Sequence, residues 1–114
     1  MIHLYYHDLP DTRATRRWAA RRRVGYLPKR VCDAWGDSLD ELLGWMAAES
    51  IRSLWLYHKP MPHVRVFGGK MDAIRFSLDT CAATKAEWRA AVKRWRAWAT
   101  EEARRNRLVR IAMG

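Results

Sequence analysis

The chain has 114 residues, with 22 Lys and Arg against 12 Asp and Glu, a formal net charge of +10 and 49% hydrophobic residues. This length predicts a single domain over residues 1–114 with one modest core. The chain has neither an apolar run long enough to span a membrane nor a signal-peptide pattern, so we expect a cytoplasmic protein without membrane contact. The excess of basic residues favours a polyanionic partner.

A strand and an arginine-rich helix are predicted for the N-terminal part of the chain. Residues 2–7 alternate in polarity with the period of a strand. Asp11 or Thr12 can then cap a helix that continues to about Arg23. Gly25 lies just past the end of this helix, where a residue that tolerates positive φ is favoured.

Residues 26–36 are interpreted as a partly buried connection, and a second helix follows it. Ser38 and Glu41 have the spacing of a capping box, and apolar residues recur at helical spacing up to Met46. The acidic residues lie near the helix N-terminus, where the helix dipole favours negative charge. A structural role therefore accounts for them without acid–base chemistry.

A strand and a hairpin are predicted for the middle of the chain. Residues 51–58 are rich in β-branched and aromatic residues, and apolar side chains occur at both odd and even positions. Because these positions face opposite sides of a strand, the segment is predicted to be a central strand covered on both faces. Residues 63–67 and 71–78 flank Gly68-Gly69, a hairpin signal because glycine adopts positive φ without steric cost. A three-residue loop aligns the apolar side chains of both strands better than a two-residue loop.

The last predicted element is a long helix, which begins at a capping box of Thr84 and Glu87 and extends to about Asn106. One face of this helix is apolar and the other is basic. Three tryptophans of the apolar face are expected in the core: Trp88, Trp95 and Trp98. Residues 108–113 are an optional final strand. The order β-α-α-β-β-β-α predicts an α+β fold, in which about four strands form an antiparallel or mixed sheet packed against helices.

The basic residues are concentrated on two predicted helical faces. Five arginines of the first helix occupy one arc of its helical wheel: Arg13, Arg16, Arg17, Arg21 and Arg23. Without interleaved acids these side chains repel one another, so we expect them to contact phosphates or an acidic protein surface. The alternative is that the four acidic residues of segment 37–49 neutralise them within the fold. Three further cations are expected to extend the same surface from the long helix: Arg89, Lys93 and Arg96.

Two further tryptophans are candidate partner contacts. Trp45 lies off the apolar stripe of its helix, and Trp35 belongs to the predicted connection. Beside basic residues, an exposed indole can stack on a base or anchor a protein interface. We therefore expect at least one of these two side chains to be exposed.

The four histidines are the only candidates for a metal ligand or a general base: His3, His7, His58 and His63. His3 and His7 share a strand face but stand about 13 Å apart, too far to hold one ion together. If the first strand lies beside residues 51–58, His7 and His58 meet at one sheet edge with Asp8. Polar residues at strand ends are the ordinary explanation, so we predict neither a metal nor a catalytic site.

The two cysteines, Cys32 and Cys81, are interpreted as small buried hydrophobic residues, because they lack CxxC spacing and the expected compartment is reducing. The sequence also lacks the phosphate-binding, dinucleotide-binding, hydrolase and zinc motifs. We therefore predict no cofactor.

These observations favour a non-enzymatic basic module that engages nucleic acid or a nucleoprotein through its arginine-rich helix. One alternative is an inhibitor acting by protein contact, such as the small proteins that phages and mobile elements encode against bacterial defence complexes, anti-CRISPR proteins among them. Another is a small RNase, since the order of elements resembles that of RelE-like toxins. An exposed His beside an Arg would favour the RNase. An exposed Trp rimmed by Arg would favour the inhibitor, and a continuous positive groove would favour nucleic-acid binding.

Overall fold

The computed structural model describes residues 1–113, with the side chains of residues 1–112. Within these residues the strands are β1 (Ile2–Asp8), β2 (Arg30–Trp35), β3 (Leu56–Tyr57), β4 (His63–Val66) and β5 (Thr80–Ala82). The α-helices are α1 (Arg13–Arg21), α2 (Leu39–Ala48), α3 (Gly68–Ala73) and α4 (Lys85–Met113). Two short 3₁₀ helices span Ser53–Trp55 and Ile74–Phe76.

The strands form one mixed sheet in the order β3-β4-β2-β1-β5. β1 is antiparallel to β2 and parallel to β5, whereas β4 is antiparallel to both β2 and β3. The predicted α+β class is confirmed. The predicted order of elements is not, because the observed order is β-α-β-α-β-β-α-β-α.

The two faces of the sheet pack against different helices, since successive side chains of a strand point to opposite sides. The face that contains Ile2 and Leu4 packs against α2 and the 3₁₀ helix that follows α3. We name it the α2/α3 face. The opposite face, which contains Val31 and Trp35, packs against α1 and α4 in two smaller apolar clusters and is named the α1/α4 face.

The first strand and the first two helices form as predicted. Thr12 is the N-cap of α1, and at the start of α2 the Oγ of Ser38 accepts a hydrogen bond from the backbone N–H of Glu41 at 3.1 Å. The end of α1 differs from the prediction. Arg23 adopts the left-handed conformation, with φ of 56°, in place of Gly25.

The interpretation of residues 26–36 as a connection is wrong, because residues 30–35 form the central strand β2. All side chains from Val31 to Trp35 are buried, so the strand shows no alternation of polar and apolar residues. It also contains Asp33, a residue type that is depleted in strands. Partners on the neighbouring strands make a buried carboxylate tolerable at this position.

The prediction of a central strand over residues 51–58 is also wrong. This segment contains a 3₁₀ helix followed by β3, a two-residue strand at the edge of the sheet. Leu54 is 57% exposed, whereas Trp55 and Leu56 pack against the core of the α2/α3 face. Apolar residues at both odd and even positions of this segment therefore indicate a tight turn against the core, and not a strand buried between two layers.

The predicted hairpin is correct only in its first strand, β4. Gly68 does have a positive φ of 64°, but it leads into α3 and not into a second strand. Met71 and Ile74 then pack against the core of the α2/α3 face at helical spacing. Residues 71–78, predicted as the second strand, therefore contain the end of α3 and a 3₁₀ helix, and the next strand is β5, which pairs with β1 in parallel.

The capping box of α4 is confirmed by hydrogen bonds between Thr84 and Glu87 in both directions. The helix continues through the residues predicted as a final strand, so that prediction is wrong. Ala91 and Val92 are buried, whereas residues 96–112 are exposed apart from one partly buried glutamate. No helix in the described part of the chain is long and apolar enough to cross a membrane.

Candidate nucleic-acid interface

The helix α1 packs on the sheet through a narrow face and presents its arginines to solvent. Trp18 and Ala19 are buried beside Val31 of the central strand. The five arginines expected to contact phosphates or an acidic surface are all exposed: Arg13, Arg16, Arg17, Arg21 and Arg23.

Little of this charge is neutralised within the fold. Of the five arginines only Arg16 has an ion pair in the described part of the chain, with Asp11 at 2.6 Å. The acidic segment that begins at Asp37 does not reach α1, because α2 packs on the opposite face of the sheet. The carboxylates of Asp37 and Glu41 instead contact the N-terminal amine of Met1.

The three predicted cations of α4 are also exposed and lie along one side of that helix. They line a surface pocket of about 510 Å³ together with three apolar side chains: Arg89, Lys93, Arg96, Trp88, Val92 and Pro60. Trp88 and Val92 belong to the apolar cluster of the α1/α4 face. Basic residues of α1 and α4 therefore occupy the same side of the sheet, and α2 packs on the other. In the described part of the chain, only the first carboxylates of the acidic segment, Asp37 and Asp40, reach α4, where they share a groove with Arg94 and Arg96.

Trp35 and Trp45 are both buried, so the expectation that at least one of them is exposed is wrong. Trp35 is 2% exposed because it lies in the central strand, where its ring packs edge-on against Trp88. Trp45 is 9% exposed, and its Nε1–H donates to the Oγ of Ser77 at 2.9 Å. The accessible indole is Trp98, which was expected in the core and is 58% exposed because α4 has left the sheet at that point.

Between α1 and α4, eight side chains form a closed circuit of contacts, which we name the aromatic–ionic ring. The Nε1–H of Trp18 donates to the hydroxyl of Tyr57 at 2.6 Å, and the guanidinium of Arg65 lies 5.3 Å from the centre of the Trp18 ring. On the side of α4, Trp88 contacts a tyrosine and a histidine of the sheet. The members in order are Trp18, Tyr57, His63, Trp88, Tyr5, His7, Asp33 and Arg65.

The carboxylate of Asp33 is the buried anion of this ring. Its Oδ2 lies 2.6 Å from Nε2 of His7, and its Oδ1 accepts a hydrogen bond from Nε of Arg65 at 3.0 Å. Burial is the largest single influence and raises the pKa of Asp33, but the hydrogen bonds from His7 and Arg65 outweigh it. The net pKa lies below the usual value, so the carboxylate stays ionised at neutral pH.

The second ring nitrogen of His7 is also occupied, because Nδ1 lies 3.1 Å from the backbone carbonyl oxygen of Asp8. Both nitrogens thus face oxygen acceptors, and neither is directed at a ligand. Arg65 differs, since a guanidinium has five N–H donors and Asp33 engages only part of them. Its side chain is 21% exposed, which leaves a cation at the surface of the ring.

His63 has a structural role in the ring. Its Nδ1–H donates to the carbonyl oxygen of Met61 at 2.8 Å, and its imidazole stacks on the ring of Tyr57 at 5.2 Å. Burial lowers the pKa of His63, so the imidazole is neutral at pH 7. A neutral ring fits between two aromatic side chains without an unpaired buried charge.

The histidine site considered for one sheet edge does not form. β2 and β4 separate β1 from β3, so His7 of β1 and the exposed His58, which follows β3, do not meet at one sheet edge. In the described residues no group of three or more His, Cys, Asp or Glu side chains is arranged to hold a metal ion. Sequence reasoning missed Asp33 and Arg65, although an acid within an apolar run is a signal, because a buried carboxylate needs a cationic partner.

Comparison of the chain with protein-family models, with curated proteins and with solved structures finds no match.

Proposed function

We propose that the protein is a nucleic-acid-binding module and that the arginines of α1 are its main phosphate contacts. The observation that carries this proposal is the separation of charge across the sheet. The cations of α1 and α4 lie over one face, and α2 packs on the other. The first carboxylates of the acidic segment, Asp37 and Asp40, reach a groove shared with α4, but in the described part of the chain no carboxylate of segment 37–49 pairs with an arginine of α1. Exposed guanidiniums without internal partners are suited to bidentate contacts with phosphate oxygens.

The aromatic–ionic ring, which lies between α1 and α4, supports the same proposal. Arg65 offers a partly exposed guanidinium, and its position is fixed by Asp33 on one side and by Trp18 on the other. A fixed cation loses little conformational entropy when it binds an anion. It would therefore add a positioned phosphate contact to the flexible arginines of α1.

The test is the binding of fluorescently labelled single-stranded RNA, single-stranded DNA and duplex DNA, measured by anisotropy over a range of salt concentrations. We expect binding at low salt and a log–log slope of about −0.7 to −0.9 per phosphate contact, because each neutralised phosphate releases counterions. Arg17→Glu combined with Arg21→Glu should weaken binding and flatten the slope. An absence of binding to all three probes at low salt would overturn the proposal.

A charge-reversal control is available on the other side of the sheet. Arg52 is exposed and follows Ile51, which packs against the core of the α2/α3 face. Arg52→Glu changes the net charge as much as Arg17→Glu does, so a non-specific charge effect would weaken binding equally in both. We expect only Arg17→Glu to reduce affinity substantially, with circular dichroism unchanged for both variants.

The second candidate function is inhibition of a partner protein by direct contact, and the exposed Trp98 is the observation that favours it. Trp98 lines a groove of about 730 Å³ between α4 and the start of α2, with Arg94 and Arg96 beside it. Aromatic and arginine side chains at the centre of a surface are typical anchors of protein interfaces. On this reading Trp98→Ala abolishes partner binding that resists salt and nuclease treatment, whereas Arg17→Glu has little effect.

The RNase alternative has less support from the geometry. Both ring nitrogens of His7, which shares the carboxylate of Asp33 with Arg65, are already engaged. The order of elements on which the resemblance to RelE-like toxins was based also differs from the observed order.

A further inference from the structure

Three polar side chains stand in line at one end of the α1/α4 face, outside the aromatic–ionic ring. The Sγ of Cys81 lies 3.4 Å from Nδ1 of His3. The other nitrogen of the same imidazole, Nε2, lies 2.8 Å from Oδ1 of Asp37. A thiol within reach of a base that a carboxylate orients is the arrangement of an activated nucleophile.

The sheet holds these side chains in position. His3 and Cys81 are direct partners in the parallel pairing of β1 with β5, so both point to the same face. On the other side of His3 its partner is Trp35 of β2, whose ring stacks on the imidazole at 5.2 Å and 21°. Asp37 follows two residues after the end of β2.

The hydrogen bonds define which nitrogen can act as the base. The pKa of Asp37 is lowered, mainly by its hydrogen bond from His3 and further by the N-terminal amine of Met1. An ionised carboxylate accepts the proton on Nε2, so in the neutral imidazole Nδ1 carries the lone pair. That lone pair faces the Sγ of Cys81.

The site is open to solvent at the edge of the sheet. Cys81 is partly buried, and the side chains of His3 and Asp37 are 20% and 63% exposed. On either side of β5, the carbonyl oxygen of Asp79 and the N–H of Ala83 form hydrogen bonds with β1. Backbone groups of successive strand residues point to opposite edges, so the N–H of Ala82 faces the open edge of the sheet. This N–H belongs to the residue that follows Cys81, and it is free of β1 to donate to the oxygen of a bound carbonyl group.

We propose that Cys81 is a nucleophile towards acyl carbon atoms, with His3 as its general base and Asp37 as the residue that positions His3. In the first step the thiol proton passes to Nδ1 of His3, a bond forms between Sγ and the carbonyl carbon, and the bond to the leaving group breaks as that group takes up the proton. Water then attacks the thioester, with His3 as base, and restores the thiol. This activity is independent of the proposed nucleic-acid binding.

The experiment treats the full-length protein with p-nitrophenyl acetate and measures nitrophenolate release together with peptide mass mapping. We expect an acetyl group on Cys81. The matched control is Cys32 of the same chain, which is 0% exposed and whose pKa burial raises to about 12, so it should remain unmodified. Cys81→Ser should abolish the thioester adduct.

The roles of His3 and Asp37 are tested separately from the fold. His3→Gln keeps a donor for Asp37 but removes the base, and it should slow acetylation of Cys81 by about 10²-fold with an unchanged circular dichroism spectrum. Asp37→Asn should slow the acetylation of Cys81 and shift the pH profile of its rate. The other charged groups of this cluster are the N-terminal amine of Met1, which contacts Asp37, and the carboxylate of Glu41, which contacts that amine. Asp37→Glu should restore the rate in part. Acetylation of Cys81 at the wild-type rate in His3→Gln would overturn the proposal. So would a wild-type protein that forms no acetyl adduct on Cys81 and releases nitrophenolate no faster than Cys81→Ser does.

Discussion

Replacement of Asp33 by Asn tests whether the buried carboxylate of the aromatic–ionic ring stabilises the fold. The side chain of Asp33 is 4% exposed and meets donors of His7 and Arg65 at 2.6, 3.0 and 3.3 Å. Asn keeps one acceptor oxygen but turns an N–H₂ group towards a cation. Breaking a buried ion pair costs about 3–5 kcal/mol, and the partial exposure of the His7 and Arg65 side chains places this case near the lower end, at about 3 kcal/mol.

The assay is urea unfolding followed by tryptophan fluorescence at pH 7, with the free energy of unfolding obtained by linear extrapolation. The matched control is Asp8→Asn, because Asp8 and Arg30 form an exposed pair at 3.6 Å with side chains 88% and 55% accessible. Such a surface pair contributes little, so the control should stay within about 0.5 kcal/mol of the wild type. Equal stabilities of Asp33→Asn and Asp8→Asn would refute the reasoning.

The pH dependence of this difference has a defined sign. The pKa of Asp33 is lower in the folded protein than its usual value near 3.8, so the stabilisation is fully present above that value. It is lost as the pH falls through the lower, folded-state pKa. The difference between the wild type and Asp33→Asn should therefore be constant near neutral pH and shrink below about pH 4.

Four further results are expected. Tyr57→Phe removes the acceptor of the Trp18 indole N–H and should lower the free energy of unfolding by about 1–2 kcal/mol. An unchanged urea midpoint would contradict this hydrogen bond. Trp88→Ala should cost about 3 kcal/mol, because this partly buried ring contacts three aromatic neighbours, Tyr5, Trp35 and His63. A loss below about 1 kcal/mol would place the ring outside the core. Cys32 should resist iodoacetamide at neutral pH in the folded protein and react only in urea, because burial raises its pKa to about 12. Labelling of Cys32 in the folded protein would contradict its burial. Truncation after Thr100 should change the unfolding free energy by less than about 0.5 kcal/mol while reducing the helical circular dichroism signal, because residues 101–112 are exposed except for the partly buried Glu102. A larger loss would reveal packing of that segment.

The elements that the sequence predicts correctly are those whose capping residues and polarity pattern match the contacts that they make in the fold. The capping residues Thr12, Ser38 and Thr84 begin α1, α2 and α4 because their hydrogen bonds involve only neighbours in the chain. The alternation in β1 is visible because its two faces meet different surroundings. For the same reason the exposure of the arginines on α1 follows from its thin apolar face.

The elements that the sequence does not reveal depend on distant partners. The strand β2 is buried on both faces, so it lacks a period, and Asp33 is stable in it only because His7 and Arg65 come from other strands. The parallel pairing of β5 depends on contacts across the whole chain, which no local pattern encodes. Cys81 and His3 are brought together by that pairing, so their spacing in the sequence carries no motif.

The separation of charge across the sheet gives the protein an electric dipole in addition to its net charge. The helix layers on the two faces lie about 20 Å apart, two packing distances of about 10 Å. At physiological ionic strength the screening length is about 8 Å, so a charged surface that approaches one face is nearly insensitive to the other. A polyanion therefore meets an attractive potential at α1 and α4 and a much weaker one at α2. The protein is expected to orient before contact, and only in dilute salt does it behave as a uniform cation of charge +10.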